Sequence, residues 1–97
     1  MTIGVIATLR IQEGKASEFE AFFTELQTQV RANEAGNVAY QLTKSRTEPN
    51  TYKVLELYKD QDAVTHHGNT AYFQAAGPKL GATLAAVPDI EYLDGVG

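Results

Sequence analysis

Cysteine is absent from the 97 residues, which excludes disulfides, thiolate metal ligation and cysteine nucleophiles. Tryptophan is absent as well. Positive charge is sparse: eight Lys and Arg, scattered along the chain, face twelve Asp and Glu and leave a formal net charge of −4. A nucleic-acid surface needs a basic patch with interleaved aromatics, and none is visible. No apolar run approaches the ~20 residues that span a bilayer. The opening MTIGVIATLRIQEG has neither the basic lead nor the small-residue cleavage site of a secretory leader, so a cytoplasmic protein without membrane contact is expected. No phosphate-cradling glycine motif or Ser-His-Asp order occurs. The only histidines, His66 and His67, are adjacent. On a helix they diverge by about 100°, too far to share one ion, and no metal is expected.

What remains is ordinary globular material, 43% hydrophobic and 21% charged, of a length suited to one domain over residues 1–97. Thr2–Gln12 alternates, with Ile3, Val5, Ala7, Leu9 and Ile11 on one face and Gly4, Ile6, Thr8, Arg10 and Gln12 on the other. That period of two predicts a strand, which Glu13-Gly14 ends. Phe19, Phe22, Phe23, Leu26 and Val30 then follow helical spacing, one apolar stripe whose phenylalanines read as core. Ser17 and Glu20 suggest a capping box, unless the helix begins at Lys15. Its end is expected near Asn33–Gly36, with Gly36 as a left-handed stop.

Asn37–Arg46 and Thr51–Lys59 alternate again around the turn Thr47–Asn50, which reads as a hairpin. Asp60 or Asp62 can cap a short helix at Ala63–His67. A further helix from Ala71 carries Phe73, Ala76, Leu80 and Leu84, cut at Gly77-Pro78. Pro88–Val96 closes the chain as a strand. The order is that of an α+β, ferredoxin-like βαββαβ fold with a four-stranded antiparallel sheet. Both faces of every strand carry apolar residues, Ile6 as well as Val5 and Leu55 as well as Val54. A sheet face left open to water carries more charge than this, so a homodimer joined through that face is expected.

Val54–Phe73 gathers an acid, two imidazoles and several aromatics into twenty residues. Its motifs carry a resemblance. Glu34–Tyr40 (EAGNVAY) resembles the E-x-G-x-x-x-Y entry to the second strand of antibiotic biosynthesis monooxygenase domains, the quinol monooxygenase-like proteins. Val54–Tyr58 (VLELY) is similar to their V-x-E-x-W strand, and Asp62-Ala63-Val64, His67 and Tyr72-Phe73 to the helical segment that follows. Val5–Lys15 resembles their first strand and its Gly-Lys lead into a helix. The resemblance implies a dimeric α+β barrel with one pocket per subunit between sheet and helices. It also implies monooxygenase chemistry on an aromatic quinol- or anthrone-like molecule and O₂, without cofactor. Tyr58 stands where the family often has Trp, and a chain without Trp is a poor fit to the haem-degrading members.

His67 is the candidate base, since a neutral imidazole titrating near 6.5 takes a proton at physiological pH. Glu56, an acid between Val54 and Tyr58 on its strand face, either orients His67 or bridges to a neighbouring Lys or Arg. Tyr40, Tyr52, Tyr58 and Tyr72 are candidate substrate contacts, with Arg10 as an anion contact. A non-catalytic dimeric binding domain, or an isomerase of the same fold, is the alternative reading.

Overall fold

The computed structural model describes residues 1–97, as β1 (Ile3–Arg10), α1 (Ala16–Asn33), β2 (Asn37–Lys44), β3 (Thr51–Tyr58), α2 (Gln61–Gly68), α3 (Ala71–Thr83) and β4 (Asp89–Asp94). The sheet runs β2-β3-β1-β4 with every neighbouring pair antiparallel. β1 and β2 are therefore parallel with β3 between them, and α1 is the crossover that such a pair requires. The expected βαββαβ order holds, with the second helical layer divided into α2 and α3.

The register settles which residues share a face. Val5 lies opposite Glu56 and Tyr92, Ala7 opposite Val54 and Ile90, and Leu9 opposite Tyr52. Tyr40 lies opposite Glu56 on the other side. This face is the one covered by helices. Phe19 and Val30 of α1 have no exposed surface, and Tyr52, Val54 and Tyr58 of β3 have at most 1%. Each such aliphatic or phenyl side chain contributes ~1.5–3 kcal/mol relative to exposure, so α1 is held by its stripe rather than by its ends.

Indeed α1 has no side-chain cap. Gly14, at φ 86°, turns the chain, and Lys15 stands at the N-cap. The Ser17–Glu20 capping box does not form, because the helix has already begun at Ala16 and the Glu20 carboxylate accepts the Tyr52 hydroxyl. Nor is Gly36 a left-handed stop. The helix ends at Asn33, and Glu34 follows in extended backbone. Gly36 is needed for space: a Cβ there would sit 2.6 Å from Cβ of Ala63 in α2.

The hairpin turn is as expected, with Asn50 at φ 56°. Asp60 caps α2 by accepting from the Ala63 N–H at 2.9 Å. Unlike the expectation, Gly77-Pro78 does not cut α3, which runs unbroken to Thr83. Gln74 and Pro78 are both exposed, so water can satisfy the Gln74 carbonyl that loses its helical donor. No helix is long and apolar enough to cross a membrane.

The opposite face of the sheet has no helix over it. Its middle carries Ile6, Leu55, Leu57 and Leu93, with Leu55 43% and Leu93 41% exposed.

Candidate active site

A cavity of about 420 Å³ opens between the helix-covered face of the sheet and the α2–α3 layer. Twelve of its sixteen lining residues are hydrophobic, and apart from tyrosines its only ionisable side chains are Glu56 and His67. β1, β3 and the edge strand β4 form one wall. Val64 and His67 of α2 with Phe73 and Leu80 of α3 form the other.

His67 reaches this cavity from the last turn of α2. The helix begins at its Asp60 cap and buries Ala63 and His67, four residues apart on one face, while His66 points to solvent. The imidazole lies among three rings, with centroids 5.3 Å from Tyr40, 5.6 Å from Tyr58 and 4.5 Å from Phe73. Nδ1 is 3.0 Å from each carboxylate oxygen of Glu34. Tyr72 of α3 donates its hydroxyl to Glu34 Oε2 at 2.5 Å. Glu34 is 5% exposed, so this buried carboxylate is satisfied from both sides. A carboxylate accepts only, so Nδ1 carries a proton, and in the neutral ring the lone pair is on Nε2. Nε2 makes no hydrogen bond, and no fully buried side-chain nitrogen or oxygen lacks a partner, so Nε2 opens onto accessible space.

Glu34, not Glu56, therefore orients His67. β3 carries Glu56 to the cavity wall, but its Oε1 accepts the Tyr58 hydroxyl at 2.7 Å. No Lys or Arg bridges to it, since the salt bridges join Arg10 to Asp89, Lys44 to Glu20 and His67 to Glu34. Burial raises the Glu56 carboxyl to about 7, with the Tyr58 hydrogen bond opposing the shift and the Glu34 charge adding to it. Burial, followed by the Glu56 charge, pushes the Tyr40 and Tyr58 hydroxyls far above the usual phenol range. Both stay protonated at any working pH and act as donors, not bases.

Of the tyrosines expected at a ligand, Tyr40 and Tyr58 line the cavity. Tyr72 is not in the lining and is linked to it only through Glu34 and His67; burial and the Glu34 bond push its hydroxyl up to about 12. Tyr52 shares the strand face but lies six residues from Tyr58, ~20 Å along the strand, where its ring packs on Phe19. Arg10 projects from the helix-free face and pairs with Asp89 at 2.8 Å. Neither belongs to the cavity. Missed from the sequence were Glu34, Phe73 as a wall, and Ile90 and Tyr92 of β4. Glu34 had a signal, since it sits four residues beyond Val30 and continues the buried stripe of α1.

The family model described as antibiotic biosynthesis monooxygenase matches residues 2–79. The candidate monooxygenase YcnE of Bacillus subtilis (strain 168) is 36% identical over 78 residues, covering 78% of this chain and 82% of that protein. Among solved structures, a candidate antibiotic biosynthesis monooxygenase from Caulobacter crescentus CB15 superposes with a TM-score of 0.97 at 56% identity, covering 99% of this chain and 91% of that one. PA3566 from Pseudomonas aeruginosa superposes at 0.89 with 26% identity over 99% and 95% of the two chains.

Proposed function

Because this chain belongs to the antibiotic biosynthesis monooxygenase family, we propose that it is a cofactor-independent monooxygenase of aromatic quinol- or anthrone-like molecules, with His67 as the base. The observation that carries this reading is an imidazole on the wall of an apolar cavity, its Nδ1 held by Glu34 and its Nε2 left without a hydrogen bond. A base so placed removes a proton from a carbon or oxygen of an electron-rich ring. The apolar lining offers few partners to the water that would return the proton, and the resulting anion passes electrons directly to O₂.

For a ring methylene of the anthrone type, both C–H bonds break and their electron pairs reduce O₂. One oxygen becomes the new carbonyl, and the other leaves as water with the two protons. Nε2 receives the first of those protons. Tyr40, Tyr58 and Phe73 offer flat surfaces to an aromatic substrate, with ring packing supplying the affinity.

The working unit in this reading is a homodimer joined through Ile6, Leu55, Leu57 and Leu93, of which Leu55 and Leu93 are exposed and Ile6 and Leu57 half-buried in the single chain. Sedimentation equilibrium tests it: a species of twice the 10.6 kDa chain mass supports the dimer, and a clean monomer at micromolar concentration ends it.

Oxygen uptake on mixing an anthrone with protein and air tests the chemistry. Acceleration that His67→Ala abolishes supports the enzyme. If His67→Ala binds the compound and leaves uptake unchanged, the cavity is that of a binding domain.

A further inference from the structure

We propose that Glu56, in its neutral form, is the hydrogen-bond donor that receives the substrate's carbonyl oxygen as negative charge develops there, so that the cavity selects ring compounds whose acidic C–H or O–H is conjugated with a carbonyl. This rests on the reading of the cavity as an oxygenase site and assigns its second polar group.

The geometry carries the assignment. Glu56 and His67 are the only ionisable groups of the cavity apart from tyrosines, and they stand on opposite layers, sheet and helix. Glu56 has no cationic partner, and one of its oxygens is occupied by Tyr58 while Oε2 makes no hydrogen bond. An unpaired carboxylate in such company is costly, whereas a carboxylic acid is tolerated and has a proton to give. Its surroundings agree. Tyr58 flanks it on β3, Tyr40 faces it from β2, Val5 separates it from Tyr92 on β4, Glu34 lies beyond α1 and His67 on α2. None of these is a fixed cation, and Glu34 opposes a second negative charge. The raised carboxyl value of about 7 follows from the same surroundings.

When Nε2 takes the proton, the electron pair of the broken bond delocalises to the carbonyl oxygen, and a donor already aimed at that oxygen stabilises the enolate without moving. Two ends are thereby read at once: the acidic hydrogen by His67 and the acceptor oxygen by Glu56. A hydrocarbon ring without a carbonyl fills the cavity but finds no donor match.

Menadione serves as a probe that has acceptor oxygens and cannot be deprotonated and oxidised in this way; the chain offers no cysteine for it to alkylate. The Glu56 side-chain carboxyl is followed by ¹³C NMR as pH is varied, with Glu56→Gln used to assign the signal. Saturating menadione is expected to move the midpoint upward from about 7, because the neutral acid donates to the bound carbonyl. A midpoint that stays or falls, or no saturable binding, overturns the proposal. In the oxygen-uptake assay, Glu56→Ala is expected to lose about 100-fold in kcat, while Glu56→Gln, which keeps an N–H donor, stays within about threefold and loses the decline above neutral pH. Equal losses in the two variants overturn it. Should the wild-type protein consume no O₂ while menadione still raises the midpoint, the oxygenase reading fails and the donor assignment to a carbonyl ligand stands.

Discussion

Both carboxylate oxygens of Glu34 lie 3.0 Å from Nδ1 of His67, so the last turn of one helix is tied to the residue just past the end of another. The two residues are 33 positions apart, and both are buried. This pairing decides which nitrogen carries the proton in the neutral ring, and breaking it has separable effects on stability and on the tautomer.

Glu34→Ala leaves the Nδ1–H of His67 and the hydroxyl of Tyr72 without their acceptor. The buried His67 donor stripped of its partner costs ~1–3 kcal/mol and the partly exposed Tyr72 hydroxyl about 1, so a loss of ~2–4 kcal/mol in urea denaturation is expected. The tautomer preference disappears with it. Long-range ¹⁵N correlation spectra of the wild-type imidazole should report Nδ1–H and a bare Nε2, and those of the variant a mixture. A wild-type ring protonated at Nε2 would reverse the assignment of the base.

Tyr72→Phe removes one donor to Glu34 and leaves the imidazole contact in place. The expected cost is ~1 kcal/mol, at the low end for a bond to a charged group because the tyrosine is partly exposed. Catalysis should survive within about threefold, since Tyr72 touches no reacting atom. A collapse of kcat without a change in stability would place Tyr72 at the substrate instead.

Glu56 predicts a stability slope of definite sign. Its carboxyl titrates near 4.5 ordinarily and near 7 in the fold. Between these values the folded protein holds a proton that the unfolded chain has released, so stability falls as pH rises through that window and is flat on either side. At about 1.36 kcal/mol per unit, the fall approaches ~3 kcal/mol. Urea midpoints of wild type and Glu56→Gln measured from pH 4 to pH 8 isolate it from His67. The variant should lack this component and gain on wild type towards pH 8. Parallel curves would mean that Glu56 is ordinary.

Leu55→Glu places a charge at the centre of the helix-free face, opposite Ile6 and Gln41. Two copies would bring two such charges together in an apolar contact, and the proposed dimer should weaken by at least about 100-fold in Kd. Analytical ultracentrifugation reads the shift, and circular dichroism checks that the chain remains folded. An unchanged dimer would move the interface elsewhere.

Much of this architecture is written in simple periodicities. Ile3 to Ile11 alternate, and Phe19 to Val30 follow a helical stripe, so strand, helix and buried face could be read directly from β1 and α1. Position along a strand is another matter. Tyr52 and Tyr58 share a face by parity, but parity carries no information about which end of the sheet the α2–α3 layer covers. Arg10 stands next to Leu9 of the lining but on the opposite face, so alternation alone already keeps it out of the cavity. Glu34 was hidden because an acid at a helix terminus looks solvated, and its burial depends on donors that His67 of α2 and Tyr72 of α3 bring from far along the chain. Pro78 misled for the opposite reason, since a local helix breaker on a wet surface breaks little.

Gly36 gives the pocket a governor that no ligand touches. The strand-ward exit from α1 and the body of α2 meet there almost backbone to backbone, with Lys59 N–H donating to the Gly36 carbonyl at 2.9 Å. Acid and imidazole belong to the two segments clamped at that point. Even one added methyl group would act as a wedge, prying the Glu34–His67 pair apart from behind, so a residue without a side chain sets the tolerance of the most demanding contact in the fold.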